Sequence, residues 1–219
     1  MNARALFLTA LAVTSGLVLV FVSLRSSSAA DTRSAAVVQD QDGMDEMMKK
    51  MMEAAAPGEH HKKMAELVGT WDMDSEMFMG PTSTKSKGVC EITMILGGRF
   101  MQMHEKSEMN GMPVEGMIIS GYDNTTKDFV SVNMSTMGTG IYSTTGSEKD
   151  GVTTHTGMMC DFLSPKRPGR PYRVTIAHES ADKFLVEVFD TIPESMATAE
   201  MKAGTEFKVM AVHYTRRAK

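Results

Sequence analysis

Cysteine is scarce in this chain, and the short motifs that mark many enzyme classes are missing. Only Cys90 and Cys160 occur among 219 residues, too few for a disulfide-rich scaffold and without the C-x-x-C spacing of redox and zinc sites. The chain has no G-x-S-x-G, H-E-x-x-H, Walker or strand-associated G-x-G-x-x-G motif, which argues against the hydrolases, zinc proteases and nucleotide-binding enzymes that carry them. The sequence therefore favours a noncatalytic protein over an enzyme.

The pairing of the two cysteines is left open by the sequence. In an oxidising compartment Cys90 and Cys160 can form one disulfide, and two free buried thiols acting as small apolar side chains fit the pattern equally well.

The charge of the chain is nearly balanced, which makes nucleic acid an unexpected partner. Lys and Arg number 23, Asp and Glu number 27, and the formal net charge is -4, whereas nucleic-acid-binding domains carry a basic surface. One basic, proline-rich stretch, SPKRPGRPYR, holds Lys166, Arg167, Arg170 and Arg173. We expect a solvated loop there, with a patch facing anions or a membrane as the alternative.

Residues 1–30 have the organisation of a secretory signal. Arg4 precedes an apolar stretch from Ala5 to Leu24, and small residues up to Ala30 form a cleavage pattern before Asp31. The apolar stretch is close to the length of about 20 residues that spans a bilayer, so an uncleaved N-terminal anchor is the alternative. Both interpretations predict a periplasmic or secreted domain that contacts a membrane only through an uncleaved segment.

A polar spacer and two helices are predicted before the first strand. Residues 31–43 are polar and aperiodic, which indicates a flexible spacer, and Asp42 is available to cap a following amphipathic helix. The helical stripe consists of Met44, Met47, Met48, Met51 and Met52. We expect this face to pack on another surface, with a site for monovalent copper as the alternative. Pro57 and Gly58 then precede a second short helix over Glu59 to Leu67.

From Gly69 onward, apolar and polar residues alternate, and turn signals recur at short intervals. The first strand aims Trp71, Met73, Ser75, Met77 and Met79 at one face. Nine more strands are predicted in KGVCEITMIL, RFMQMHEKSE, PVEGMIISGYD, KDFVSVNMST, GIYSTTGS, VTTHTGMMC, PYRVTIAHES, KFLVEVFD and EFKVMAVHYTR. Even spacing and short hairpins predict an all-β fold, a single up-and-down antiparallel barrel of about ten strands, with a two-sheet sandwich as the alternative.

The single tryptophan stands at the first step of the first strand. A large indole at this position can close one end of a barrel, provided that Gly69 lets the incoming backbone pass close by. The segments PGEHHKKMAELVGTW, CEITMILGGRF, VEGMIISGYDN, MGTG and HYTR resemble, in order and spacing, the domain-of-unknown-function family 1579. This resemblance covers about residues 57–217 and implies a calycin-like, lipocalin-like barrel without an assigned activity. It also implies a structural signature of Gly69, Trp71 and a covering arginine, Arg216 or Arg217.

A barrel of this kind predicts a binding site on its inner wall. We expect a small apolar molecule to contact Trp71, Met73, Met77, His178 and His213, on the assumption that both histidines point inward. The sequence predicts no cofactor. The alternatives are a haem-binding or enzymatic barrel that uses an inward histidine, and a periplasmic copper-handling protein that uses some of the 23 methionines. Of the adjacent His60 and His61 in the second helix, only one is expected to face the barrel.

Overall fold

The computed structural model describes residues 33–79, 82–160, 169–198 and 202–218. Contacts divide the chain into two compact units, Met1–Glu46 and Met47–Lys219. The predicted export signal over residues 1–30 lies outside the described residues. Within the described ranges, no helix is both long enough and apolar enough to cross a membrane.

Two α-helices precede the strands, α1 (Arg33–Ala55) and α2 (Glu59–Ala65). The prediction of a spacer up to Gly43 is wrong, because α1 begins at Arg33 and Asp42 lies inside it rather than at its N-cap. The segment RSAAVVQD contains neither proline nor glycine, so nothing in it ends a helix that extends from the methionine-rich part. The five methionines of the stripe are 50% to 70% exposed, so none of them is buried against the described residues.

Ten strands follow, joined by short connections. They are β1 (Gly69–Met79), β2 (Thr82–Ile95), β3 (Phe100–Met109), β4 (Met112–Asp123), β5 (Asp128–Ser135), β6 (Tyr142–Lys149), β7 (Val152–Met159), β8 (Arg170–Ser180), β9 (Lys183–Thr191) and β10 (Glu206–Arg216). A 3₁₀ turn, Glu194–Met196, lies between the last two strands.

The strands form one closed antiparallel barrel in chain order. Each strand pairs with the next, and β1 pairs with β10, so that Trp71 lies opposite Arg216 and Met73 opposite Tyr214. The prediction of a single up-and-down barrel is therefore confirmed, and the two-sheet alternative is wrong. Closure removes the two free edges that an open sheet of this size would expose.

Turn chemistry fixes the hairpins where the sequence predicts them. Asn110 and Gly111 both have positive φ, 51° and 80°, and Asp150 and Gly151 repeat this with 53° and 78°. Two successive residues with positive φ form the type I′ turn, whose twist matches that of the flanking strands. These turns set the register, and the register decides which side chains enter the barrel.

The buried core lies at the end of the barrel where α2 and the start of β1 are found. Its apolar members are Met64, Trp71, Met73, Cys90, Ile92, Met101, Met103, Phe184, Val212 and Tyr214. Met64 comes from α2, so this helix contributes directly to the core.

Candidate functional site

Trp71 closes one end of the barrel. Its side chain is 0% exposed, its Nε1 donates a hydrogen bond of 2.8 Å to the Leu67 carbonyl, and its ring meets the edge of Phe184 at 4.8 Å between centroids. The central carbon of the Arg216 guanidinium lies over the indole, 4.3 Å from the ring centroid. Gly69 has a φ of +143°, and a Cβ built there would lie 3.0 Å from Arg216 Nη1. The structure thus brings Gly69, Trp71 and Arg216 together.

Above the indole, one half of the inner wall is apolar. Met73, Met103 and Val212 are 3% to 6% exposed there, and the Phe184 and Tyr214 rings stack at 4.2 Å with an interplanar angle of 9°. Unbranched methionine side chains adapt to irregular space, which lets Met73 and Met103 fill this end of the barrel around the two rings.

A carboxyl group stands inside this apolar half. Glu105, on β3, accepts a 2.5 Å hydrogen bond from the Tyr214 hydroxyl, and it pairs across the sheet with Cys90 on β2. Burial raises the pKa of the Glu105 carboxyl, which the hydrogen bond from Tyr214 lowers by a smaller amount. Burial and the neighbouring Glu105 also raise the pKa of both Tyr214 and Cys90. Glu105 is one of several carboxylates on predicted strands and turns, and without its contacts the sequence could not assign it a role.

The opposite half of the inner wall carries polar groups. Thr144 and His155 are 9% and 5% exposed, and Thr144 Oγ1 lies 3.2 Å from His155 Nδ1. Ser120 donates to Ser131 at 3.1 Å on the neighbouring strands. Burial lowers the pKa of His155, which favours a neutral imidazole. The interior is therefore two-sided, with thioethers and aromatic rings facing hydroxyls and an imidazole.

The helix α2 brings two histidines to the closed end, and the expectation that only one of them packs there is wrong. His61 is 5% exposed, and its Nδ1 accepts a 2.9 Å hydrogen bond from the Gly58 backbone N–H. His60 is half-buried and stacks on Tyr122 at 4.0 Å, with Phe129 at 5.2 Å. A helix of two turns can place adjacent residues on Tyr122 when both rings are large enough to reach it.

At the end of the barrel away from Trp71, here called the mouth, the described inner-wall side chains keep contact with solvent. Strand alternation places Met77, Asn133, Tyr142 and Met210 on the inner wall, away from Trp71, and all four keep partial or full exposure. An ion pair stands at this mouth, where Arg170 donates to both carboxylate oxygens of Asp190 at 2.8 and 2.7 Å.

A pocket of about 430 Å³ lies on the β6–β7 side of the barrel. It is lined by residues of both strands, with Tyr142, Thr144 and Gly157 from the inner face and Ile141 and Met158 from the outer face. Among the described residues, no group of three or more His, Cys, Asp or Glu side chains is placed to hold a metal ion.

The five residues predicted for the site do not lie together. Trp71 and Met73 lie in the closed end, and Met77 lies near the mouth. His178 is on the inner side of β8 but at its end, where it is exposed while its ring stays 6.0 Å from that of Phe184. The inward orientation predicted for His213 is wrong, because Met210, Val212 and Tyr214 take the inner face of β10 and leave His213 exposed outside.

Both cysteines are free. Cys90 is fully buried in β2, whereas Cys160 follows β7 and is partly exposed. The disulfide that the sequence left open is therefore not formed in this structure.

The chain was compared with solved structures, curated proteins and protein families. The crystal structure of Rv2717c from M. tuberculosis is similar to the chain, with a TM-score of 0.50 and 11% sequence identity over 74% of this chain and 100% of that one. The structure of the S-type phycobiliprotein lyase CPES from Guillardia theta has a TM-score of 0.48 and 8% identity, covering 73% and 93%. No curated protein matches the chain. The profile of the family described as protein of unknown function (DUF1579) matches residues 56–216, and the chain belongs to this family.

Proposed function

We propose that the protein is an exported, noncatalytic barrel that binds one small, mostly apolar molecule in its interior. The observation that carries this proposal is the contrast between the two ends. The Trp71 end is sealed by an indole that is 0% exposed, while inward-facing Met77, Asn133 and Met210 at the other end keep contact with solvent. A concave, apolar space with a few polar groups is the usual form of a small-molecule site.

The wall supports an apolar guest more than a polar one. Ile118, Val186 and Met210 face inward, are only partly buried and present carbon and sulfur atoms to the interior; burying such surface contributes about 25 cal/mol per Å². Hydroxyls on the opposite wall, at Ser131 and Thr144, can orient the guest without charging the site.

A fluorescent apolar probe tests this proposal. We expect N-phenyl-1-naphthylamine, an uncharged fluorophore, to bind the purified protein saturably at one site with a blue-shifted emission. Ser75→Phe places a ring on the inner wall of β1 and is expected to abolish this signal, while the neighbouring Asp74→Phe, on the outer wall, is expected to keep it. Absence of saturable binding to a folded protein, shown by circular dichroism, would contradict the proposal.

Export is tested on the same chain. When the full chain is expressed in a Gram-negative host, we expect the protein in the periplasmic fraction, with a mass that begins at Asp31. A mass that includes residue 1 would indicate the uncleaved anchor instead. Recovery only from the cytoplasm would contradict export.

Haem is the second candidate, because the structure offers a buried, neutral imidazole at His155. A Soret band that forms on addition of haem and is lost in His155→Ala would indicate that haem, and not an uncharged apolar molecule, is the ligand.

Copper is tested by retention of the monovalent ion before and after all five methionines of the stripe are changed to Leu, since these exposed thioethers are soft ligands. The five are Met44, Met47, Met48, Met51 and Met52.

A further inference from the structure

The carboxyl group of Glu105 has one oxygen bound and one oxygen open. Oε1 accepts the hydrogen bond from Tyr214, and no described residue donates to Oε2. Glu105 keeps partial exposure, and its Oε2 atom is not fully buried. The second oxygen therefore faces accessible space on the inner wall.

The residue beside Oε2 is a glycine, which has no side chain to cover that oxygen. Gly116, on β4, pairs with Glu105 and shares its inward face, and a Cβ built at Gly116 would lie 3.5 Å from Oε2. Any longer side chain at this position would cover the oxygen. A small group of a guest can therefore reach Oε2 between β3 and β4.

Within the described ranges, no lysine, arginine or histidine side chain pairs with this carboxyl. The groups that face it are the Tyr214 hydroxyl from β10 and the Cys90 thiol from β2, and burial keeps both of them uncharged. Arg170, at the mouth, donates to both carboxylate oxygens of Asp190 instead. An unpaired buried charge is costly, so this carboxyl holds its proton in the protein alone, and a cation that reaches Oε2 would favour the ionised form.

We propose that Glu105 is the anchor for a protonated amine, so that the ligand is an apolar molecule with a single cationic head group. The apolar part lies against inner-wall side chains that keep partial exposure, Ile118, Val186 and Met210, and the ammonium donates to Oε2 while Tyr214 holds Oε1. Hydrogen bonds to charged groups are stronger than neutral ones, and they gain further where water is excluded. This inference rests on the proposed function, because the interior must accept a guest at all.

A matched series of head groups tests the anchor. Octylamine, octan-1-ol and octanoic acid share one chain, and competition with bound N-phenyl-1-naphthylamine measures their affinities for the full protein. We expect octylamine to bind about tenfold or more tightly than octan-1-ol and octanoic acid to bind most weakly. Glu105→Gln keeps the size of the side chain and is expected to reduce the amine preference to near unity while probe binding persists.

The pH dependence gives an independent readout. The empty site holds its carboxyl proton to a higher pH than an exposed glutamate would, and an ammonium binds the ionised form. Octylamine affinity should therefore increase as the pH rises from 5 to 8 in the natural protein and stay nearly constant in Glu105→Gln, while octan-1-ol shows no such difference between the two proteins.

The outcomes separate this inference from the proposed function. Equal affinity for amine and alcohol, or an amine preference that survives in Glu105→Gln, would overturn the anchor while the apolar site stands. Failure of the uncharged probe and of all three octyl compounds to bind would overturn both. Gly116→Leu, whose side chain covers Oε2, is expected to lower amine affinity in the same way without removing the carboxyl.

Discussion

The guanidinium of Arg216 covers Trp71 and at the same time holds the segment that leads into β1. Its central carbon is 4.3 Å from the indole centroid, and it donates to the carbonyls of Val68 and Glu66 at 2.8 and 2.7 Å. The same side chain donates to Asp182, in the turn between β8 and β9, at 3.0 Å. One residue of the last strand therefore joins the first strand, its approach and a hairpin at the closed end.

Arg216→Ala should destabilise the protein by about 2 kcal/mol, because it removes the stacking and the hydrogen bonds to the carbonyls of Glu66, Val68 and Ala181. Urea unfolding followed by the fluorescence of Trp71, the single tryptophan of the chain, measures the change. Arg217→Ala is the matched control, since Arg217 binds Asp72 on the exposed surface. Equal effects of the two substitutions would show that the stacking does not secure this end.

Gly69 should tolerate alanine poorly. The residue has a φ of +143°, and a Cβ would lie 3.0 Å from Arg216 Nη1, so both backbone strain and a close contact oppose the change. We expect Gly69→Ala to lower the free energy of unfolding by about 2 kcal/mol or more. Gly98→Ala is the comparison, with a φ of +81° and open space around the added methyl, and it should cost about 1 kcal/mol.

If Gly69→Ala is no worse than Gly98→Ala, the contact with Arg216 has no energetic weight. Thermal unfolding of both variants, followed by circular dichroism, decides between these results.

The strands of this barrel could be predicted from the sequence, whereas the side chains that face its interior could be predicted only in part. The alternation that starts at Trp71 is clear because polar residues take the outer face, as Asp72 and Asp74 do. In β10 both faces carry apolar residues, and a bulge between Lys208 and Met210 shifts the register, so alternation alone could not orient His213.

Glu105 shows a second limit of the sequence. Its hydrogen bond comes from Tyr214, a residue far away in the chain that closure of the sheet brings beside it, and the glycine that leaves it uncovered, Gly116, lies across the β3–β4 hairpin. The family resemblance predicted the arginine over Trp71, because that feature belongs to the fold. It could not predict which polar side chains line the interior.

His155 should make the protein sensitive to acid. Burial lowers its pKa from the usual 6.5, so the folded state disfavours the protonated ring. Stability from this group is complete above pH 6.5 and is lost as the pH falls through the lower folded value, by at most about 1.4 kcal/mol per pH unit. We expect His155→Gln to flatten the decline in unfolding free energy between pH 7 and 5. An unchanged decline would assign the acid sensitivity to other groups.

The two thiols should differ strongly in reactivity. Cys90 is 0% exposed, and burial raises the pKa of its thiol, so the reactive thiolate is suppressed. Cys160 is partly exposed. Iodoacetamide at pH 8 should add one label to the native protein, at Cys160, and a second label at Cys90 only in urea, as read by mass spectrometry of peptides. Protein from the periplasm that takes no label before reduction would instead contain the disulfide.

Glu105→Gln should have the opposite pH signature from His155→Gln. Burial raises the pKa of the Glu105 carboxyl above 4.5, so the folded protein binds this proton more tightly than the unfolded chain does. The stability that the protonated carboxyl contributes is complete below pH 4.5 and is lost as the pH rises through the folded value. Glutamine still accepts the Tyr214 hydrogen bond but carries no charge, so the stability of the variant relative to the natural protein should rise with pH above 4.5. Urea titrations at several pH values measure this difference in unfolding free energy. If the stability of the variant relative to the natural protein instead falls as the pH rises, ionised Glu105 is already stabilised by a partner in the protein.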